Sequence, residues 1–311
     1  RGTRAGVVGA RSGCHPVRMN VHAGRARARR DLAFVRLLAA PLLAAAVGAV
    51  PRPALAGPGC PPGMKLVEGG RFEMGDGETV RVRAYCLDLA EVTVAAFGEC
   101  VAGGTCHADQ LGCGKAANWG EPRRKDHPIN CVSWDEADTY CRDLGKRLPT
   151  EQEWEWAARG QSRGTTYPWG EAPPGRRACW DGDDNGVNRG ERQGTCPVKS
   201  RRAGNAPGGF ADLAGNVREW TGSDGDEDGK TRVVRGGSWG DSLPSFLAAS
   251  FRGMNLPVER FELTGFRCAA APGSEAAVRK QTAARASRRR ARAQAEANAG
   301  PVDVFRIRVW Q

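Results

Sequence analysis

The cysteines constrain this chain more than any other feature, because ten of its eleven cysteines fall between residues 60 and 268. An even number of cysteines in an exported chain is typical of a disulfide framework, here of about five bridges. No C-x-x-C pair occurs, and His107 and His127 are the only histidines after residue 56, so the ligand spacing of a zinc site is missing. Chelation of a metal by His127 and Cys131 remains an alternative to a disulfide at Cys131. Proximity favours Cys60–Cys86, Cys100–Cys106, Cys113–Cys131 and Cys179–Cys196, but a sequence cannot fix connectivity.

The N-terminal segment has the pattern of an export signal. Four arginines between residues 25 and 30 precede an apolar run, residues 37–50, that is short for a bilayer span. Small residues at 54–56 then form a cleavage site. We therefore expect residues 1–56 to be an upstream extension and a signal peptide. The mature protein would be periplasmic, cell-surface or secreted, with no membrane span; a single membrane anchor is the alternative.

The positive charge of the chain is concentrated at its two ends. The net charge is +11, but residues 1–56 carry ten arginines and one acid, and residues 272–311 carry nine basic and three acidic residues. The remaining part, residues 57–271, has a net charge of −4. A basic surface is the usual mark of nucleic-acid binding. We therefore expect no nucleic-acid partner for the folded part.

Residues 57–271 are long enough to bury the core of a single domain. Two capping boxes, Ser133-x-x-Glu136 and Thr150-x-x-Glu153, predict helices that end near Gly145 and Gly160. Abundant glycine indicates many loops and little regular structure. Short strands are predicted at residues 65–67, 71–74, 80–87 and 231–235.

The C-terminal tail, residues 272–311, differs in composition from the domain. Residues 276–297 are dominated by Ala, Arg and Gln, with three consecutive arginines at 288–290. Such a segment cannot bury enough apolar surface to fold alone. We expect a disordered, solvated tail, with an exposed helix or a basic arm for anionic surfaces as alternatives.

A series of short motifs resembles the formylglycine-generating enzyme (sulfatase-modifying factor) family over nearly all of residues 60–271. The motifs lie at residues 64–75, 91–93, 127–134, 145–154, 167–170, 212–220, 235–239 (Arg-Gly-Gly-Ser-Trp) and 265–268 (Gly-Phe-Arg-Cys). Each motif alone is weak, but their order is very specific. The resemblance implies a C-type-lectin-like α+β fold, a single domain with low regular secondary structure.

The family's oxidases carry two reactive, copper-binding cysteines, five residues apart, just after the Arg-Gly-Gly-Ser-Trp motif. The matching positions here are Asp241 and Phe246. The family reaction oxidises a substrate cysteine to formylglycine with oxygen. It needs thiolates, because Cu(I) is a soft ion and because a thiolate engages the substrate thiol. The resemblance therefore implies the scaffold without copper or catalysis.

A structural calcium ion is also implied by the resemblance. The positions that match the family's ligands are Asp212, Gly215, Val217 and Glu219, which combine carboxylates with backbone carbonyls. A second, weaker calcium loop is indicated by the spacing of Asp181, Asp183 and Asn185. Neither this loop nor the similar run at 224–229 has the closing glutamate of an EF-hand. We interpret the run at 224–229 as an acidic surface turn.

The resemblance further implies a disulfide between Cys141 and Cys268. It also places Ser238, Trp239 and Arg252 on the floor of the groove beside the missing cysteines, either as a residual binding cleft or as packing and backbone support. Two functions follow as hypotheses. The first is a non-catalytic binding or accessory module for a protein, peptide or glycan. The alternative is a formylglycine-generating oxidase that uses oxygen and copper.

Overall fold

The computed structural model describes residues 59–75, 77–182 and 192–299. The expected export segment, residues 1–56, lies outside these ranges. Among the described residues, no helix is long and apolar enough to cross a membrane.

Within the described ranges, three short α-helices belong to the domain, and both capping boxes begin helices as predicted. The helices are α1 (Val94–Ala102), α2 (Trp134–Asp143) and α3 (Glu151–Ala158). At the start of α2, the Ser133 hydroxyl accepts from the Glu136 amide, and the Glu136 carboxylate accepts from the Ser133 amide. Helix α1 was not predicted. Its N-cap, Thr93, has Ala96 rather than a glutamate at the third helical position, so no capping box marks it.

The described strands form three small sheets. The strands are β1 (Met64–Val67), β2 (Gly70–Glu73), β3 (Thr79–Val82), β4 (Tyr85–Asp88), β5 (Arg218–Asp224), β6 (Arg232–Arg235), β7 (Arg252–Asn255), β8 (Thr264–Gly265) and β9 (Ala269–Ala270). Their orders are β1-β4-β9, β2-β3 and β7-β6-β5-β8. All neighbours are antiparallel except β5 and β8. The predicted strand over residues 80–87 is two strands, because the chain leaves β3 and joins a different sheet as β4.

Aromatic side chains connect the helices to the four-stranded sheet. The Phe97 ring of α1 stacks on Tyr140 of α2 at 5.6 Å between centroids, and Tyr140 meets Phe266 edge-on at 5.4 Å. Trp220 of β5 is fully buried, and its Nε1 donates to the carbonyl of Val132 at 2.9 Å. These contacts fix β5 and the segments around it, which hold most of the candidate site.

The ten cysteines of the described residues form five disulfides. They are Cys60–Cys86, Cys100–Cys106, Cys113–Cys131, Cys141–Cys268 and Cys179–Cys196. The bridge from Cys141 in α2 to Cys268, just before β9, spans 127 residues of sequence. Because Cys131 is bridged, it is not available with His127 as a metal ligand.

The tail forms a fourth helix, α4 (Glu275–Ala299), where disorder was expected. Alanine and arginine favour helix, and buried contacts attach this helix to the domain. The Arg285 guanidinium lies 2.6 Å from the Asp143 carboxylate, and both side chains are 8% exposed. Arg288 also pairs with Asp143, and Val278 is buried. The composition of the tail does not indicate that this helix packs on the domain, because its acidic partner, Asp143, lies far away in the sequence.

Candidate functional site

The chain turns sharply after β6, at Gly236 and Gly237. Their φ angles are +94° and +68°, a region that favours glycine. A Cβ atom at Gly237 would lie 2.5 Å from the carbonyl oxygen of Phe246. The turn therefore requires glycine, and it places the segment around Phe246 against the Arg-Gly-Gly-Ser-Trp motif.

The carboxylate of Asp241 is buried and paired with the guanidinium of Arg218. Arg218 Nη2 lies 2.6 Å from Asp241 Oδ1, and Arg218 Nε lies 3.3 Å from Oδ2. The Ser238 hydroxyl, fully buried, donates to Oδ2 at 2.8 Å. The Arg218 guanidinium therefore balances the charge of the carboxylate, and the Ser238 hydroxyl adds a hydrogen bond. A buried charge requires partners of this kind.

Phe246, which the sequence analysis matched to the second cysteine position, forms part of an aromatic wall beside this ion pair. Its ring meets Phe251 edge-on at 5.2 Å between centroids. The central carbon of the Arg218 guanidinium lies 5.9 Å from the centroid of the Phe251 ring. Arg218 is thus held between a carboxylate and an aromatic face. All ten described cysteines are in disulfides, so none of them supplies a thiol here.

Trp239 and Arg252, expected in the same groove, hydrogen-bond to other partners. Trp239 is half-buried, and its Nε1 donates to the carbonyl of Glu262 at 3.0 Å. Arg252 Nε donates to Glu151 Oε2 of α3 at 2.8 Å. Of the three expected groove residues, only Ser238 touches Asp241.

The sequence analysis missed Arg218. A buried carboxylate at position 241 needs a positively charged partner, so the sequence indicates that such a partner exists. It does not indicate which residue this is, because the chain has 46 lysines and arginines. Arg218, at the start of β5 and opposite Thr264 of β8, is the one that pairs with Asp241, 23 residues away in sequence. That pairing is not readable from the sequence.

The expected calcium ligands lie in and after the turn that leads into β5. Both oxygens of Glu219 accept from Arg267, at 2.6 Å and 2.7 Å, and Oε2 also accepts from Trp154 Nε1 at 2.9 Å. A carboxylate has about four acceptor positions, so one remains on Oε1. Asp212 has a positive φ of +57°, and its Oδ2 accepts from the Lys199 amide at 2.6 Å. Both side chains therefore retain an acceptor position for a cation.

Three carboxylates, those of Glu91, Asp212 and Glu219, interact with one another around these expected ligands. Glu91, which the sequence analysis did not single out, is 3% exposed and accepts from Asn216 Nδ2 at 2.8 Å. Burial raises the pKa of Glu91 well above its usual value, and the nearby charges of Asp212 and Glu219 raise it further. Burial also raises the pKa of Asp212. A bound calcium ion would offset the repulsion among these carboxylates, and Asp212 and Glu219 supply oxygen ligands of the kind that calcium prefers.

In the described ranges, side chains alone do not form a metal-binding site. No group of three or more His, Cys, Asp or Glu side chains there is close enough to hold an ion. Calcium at Asp212 and Glu219 would thus depend on the carbonyls of Gly215 and Val217. For the weaker loop, Asp183 and Asn185 lie outside the described residues. Asp181 Oδ1 accepts from the Arg192 amide at 3.0 Å.

Comparisons with known proteins agree with this fold and its motifs. The family model for the sulfatase-modifying factor enzyme 1-like domain matches residues 54–272. The formylglycine-generating enzyme of Streptomyces coelicolor is 35% identical, in an alignment that covers 71% of this chain and 95% of that protein. The inactive C-alpha-formylglycine-generating enzyme 2 of Mus musculus is 32% identical, over 68% of this chain and 87% of that protein.

Two solved structures share the fold at lower identity. PvdO from Pseudomonas aeruginosa superposes with a TM-score of 0.53 at 22% identity, covering 67% of this chain and 94% of PvdO. Treponema denticola variable protein 1 superposes with a TM-score of 0.51 at 24% identity, covering 67% and 95%. The fold is thus a disulfide-stapled α+β domain of the C-type-lectin-like class. Within that class, the chain belongs to the sulfatase-modifying factor family, which includes the formylglycine-generating enzymes.

Proposed function

We propose that this chain is an exported, non-catalytic member of its family that acts as a binding or accessory module for a protein, peptide or glycan. The observation that carries the proposal is the Arg218–Asp241 ion pair. By the family resemblance, Asp241 and Phe246 stand at the positions of the two reactive cysteines. The similarity to a mouse protein named as inactive adds support.

The ion pair opposes the family chemistry in two ways. A carboxylate is a hard ligand that does not replace a thiolate for Cu(I). The guanidinium of Arg218, 2.6 Å from that carboxylate, also places a fixed positive charge where a copper ion would have to bind. Neither effect can be reversed by a change in protonation near neutral pH, because arginine keeps its charge.

A formylglycine-generating oxidase is the second candidate, favoured by the 35% identity to the Streptomyces coelicolor enzyme. Such an enzyme would need a thiolate to engage the substrate cysteine. All ten described cysteines are paired. The oxidase would therefore need a nucleophile of a different kind.

Turnover separates the two candidates. The purified mature protein is incubated with Cu(I), oxygen and a Cys-x-Pro-x-Arg peptide, and the peptide is analysed by mass spectrometry. Conversion of the thiol to an aldehyde removes about 18 Da. The Streptomyces coelicolor enzyme is the positive control, and copper without protein is the blank. We expect the peptide to stay at the blank level; turnover above it would refute the non-catalytic assignment.

Export is tested on the full-length chain. Five disulfides are typical of oxidising compartments, which supports export. Expression of the whole reading frame in a bacterial host should give a mature N-terminus at Gly57. An intact N-terminal segment together with reduced cysteines would argue for the cytoplasm instead.

A further inference from the structure

An open cleft of about 950 Å³ lies beside the position of the missing cysteines. A backbone hydrogen bond joins the two regions: the amide of Asp181, which lines the cleft, donates to the carbonyl of Asp241 at 3.0 Å. The lining is strongly basic. Its arginines are Arg123, Arg124, Arg176, Arg192 and Arg201, with Asp181 as the single described acid among them.

These arginines are not neutralised within the part of the chain that the structure describes. No ion pair there joins any of the five to a carboxylate: Arg124 donates to the side-chain oxygen of Asn118 at 2.9 Å, and Arg192 donates to the carbonyl of Trp180 at 2.8 Å. Asp181 uses one carboxylate oxygen to accept from the Arg192 backbone. The described lining of the cleft therefore carries an excess of positive charge.

Arg192 and Arg201 converge on one atom. Arg192 Nη1 lies 3.2 Å, and Arg201 Nη2 lies 3.9 Å, from the Sγ atom of Cys196. Burial lowers the pKa of Arg192, and the charge of Arg201 lowers it further. Nε of Arg201 is buried and has no hydrogen-bond partner among the described residues. Two guanidiniums held together with an unused buried donor are costly unless an anion lies between them.

The geometry points to this cleft as a binding site for a ligand that carries more than one oxoanion group, as sulfate or phosphate esters do. This inference rests on the proposed binding function and deepens it, since it names the ligand chemistry. A guanidinium group can donate two parallel hydrogen bonds to two oxygens of a sulfate or phosphate group. Arg192 and Arg201 would hold one group at the Cys179–Cys196 disulfide.

A ligand with several anionic groups is favoured over a single ion. The cleft volume far exceeds that of one sulfate ion, which is about the size of a few water molecules. Arg123 and Arg176 are exposed, so they offer further donors for a second group. A ligand with two linked anionic groups binds more tightly than two separate anions, because binding of the second group becomes an intramolecular step.

Calorimetry on the full mature protein at low salt tests the inference with four probes. They are inorganic sulfate, pyrophosphate, a trisulfated disaccharide from heparin, and a hexaglutamate peptide. We expect pyrophosphate and the sulfated disaccharide to bind more tightly than sulfate, with affinity that falls as salt rises. The relative affinities of those two probes distinguish a phosphate from a sulfated source.

Matched variants locate the site. Arg201→Gln removes the half-buried guanidinium whose Nε is buried, and Arg202→Gln removes its exposed neighbour, which is outside the cleft. We expect R201Q to weaken probe binding about tenfold and R202Q less than twofold. If R201Q is misfolded by circular dichroism, Arg176→Gln, which changes an exposed cleft residue, takes its place.

Three results would overturn the inference: no binding of any probe at millimolar concentration, equal losses in R201Q and R202Q, or tighter binding of hexaglutamate than of either pyrophosphate or the sulfated disaccharide. The last result would favour an acidic peptide. None of these outcomes depends on peptide turnover, so this inference and the non-catalytic assignment can fail separately.

Discussion

At the scale of single residues, Asp241 shows how a buried carboxylate becomes part of the fold. The side chain is 7% exposed, and burial of a charge without a partner is expensive. Arg218 and Ser238 supply that partner through three contacts. The ion pair that carries the non-catalytic proposal therefore also stabilises the site.

Arg218 and Asp241 should be energetically coupled. In a double-mutant cycle with Arg218→Met and Asp241→Asn, each single variant should lose about 1–3 kcal/mol of unfolding free energy, because each leaves a partly buried partner unsatisfied. The double variant should lose less than the sum. Urea unfolding of all four proteins measures this. The exposed pair Lys230–Asp228 is the control, with smaller coupling; equal coupling in both pairs would contradict the assignment.

The candidate site could be predicted only in part from the sequence. The family resemblance singled out Asp241, Phe246 and Ser238, and the structure places Ser238 against Asp241 after a turn that favours glycine. It did not identify Arg218 or Glu91, whose roles arise from strand pairing and burial. It also grouped Arg252 with the groove, although that side chain pairs with Glu151 of α3.

At the scale of elements, the sequence predicted the helices whose start is determined by interactions between residues close in sequence. The capping boxes predicted α2 and α3, since both partners lie three residues apart. The course of β3 and β4, and the docking of α4, depend on contacts distant in sequence, so periodicity did not reveal them. The tail sequence showed helix-forming residues but not the acids that hold the helix.

Asp143 should anchor α4 to the domain. Asp143→Asn removes the charge that pairs with Arg285 and Arg288, so hydrogen exchange within Glu275–Ala299 should become about tenfold faster, as expected for loss of a buried charged hydrogen bond. Asp135→Asn, at an exposed position of α2, is the control. If both variants exchange alike, the helix is held by other contacts, such as Val278.

The turn that leads into β5 should bind calcium. Calcium bound only by the folded protein raises its stability, by about 2.7 kcal/mol at a hundred times the dissociation constant. The melting temperature should therefore be higher in calcium than in EGTA. Asp212→Asn, which keeps a side-chain oxygen and tolerates the positive φ, should keep the shift. Asp212→Ala should lose it; no shift in the unmodified protein would remove the calcium proposal.

At the scale of the whole molecule, the chain combines small sheets with long loops, and covalent bridges replace part of the missing regular structure. Four of the five disulfides span 26 residues or fewer and brace loops locally. The fifth connects Cys141 in α2 to Cys268, the residue just before β9. This bridge, unlike the others, joins the middle of the domain to its end.

Loop length should therefore decide how much each bridge stabilises the fold. In the chain-entropy treatment, closing 127 residues stabilises by about 5 kcal/mol and closing 6 residues by about 2 kcal/mol. Replacing Cys141 and Cys268 by alanine should lower the unfolding free energy by about 2–3 kcal/mol more than replacing Cys100 and Cys106. Both pairs are fully or almost fully buried, which makes the packing losses comparable. Urea unfolding under non-reducing conditions measures the difference, and equal losses would show that native-state packing, not chain entropy, sets the contribution of the long bridge.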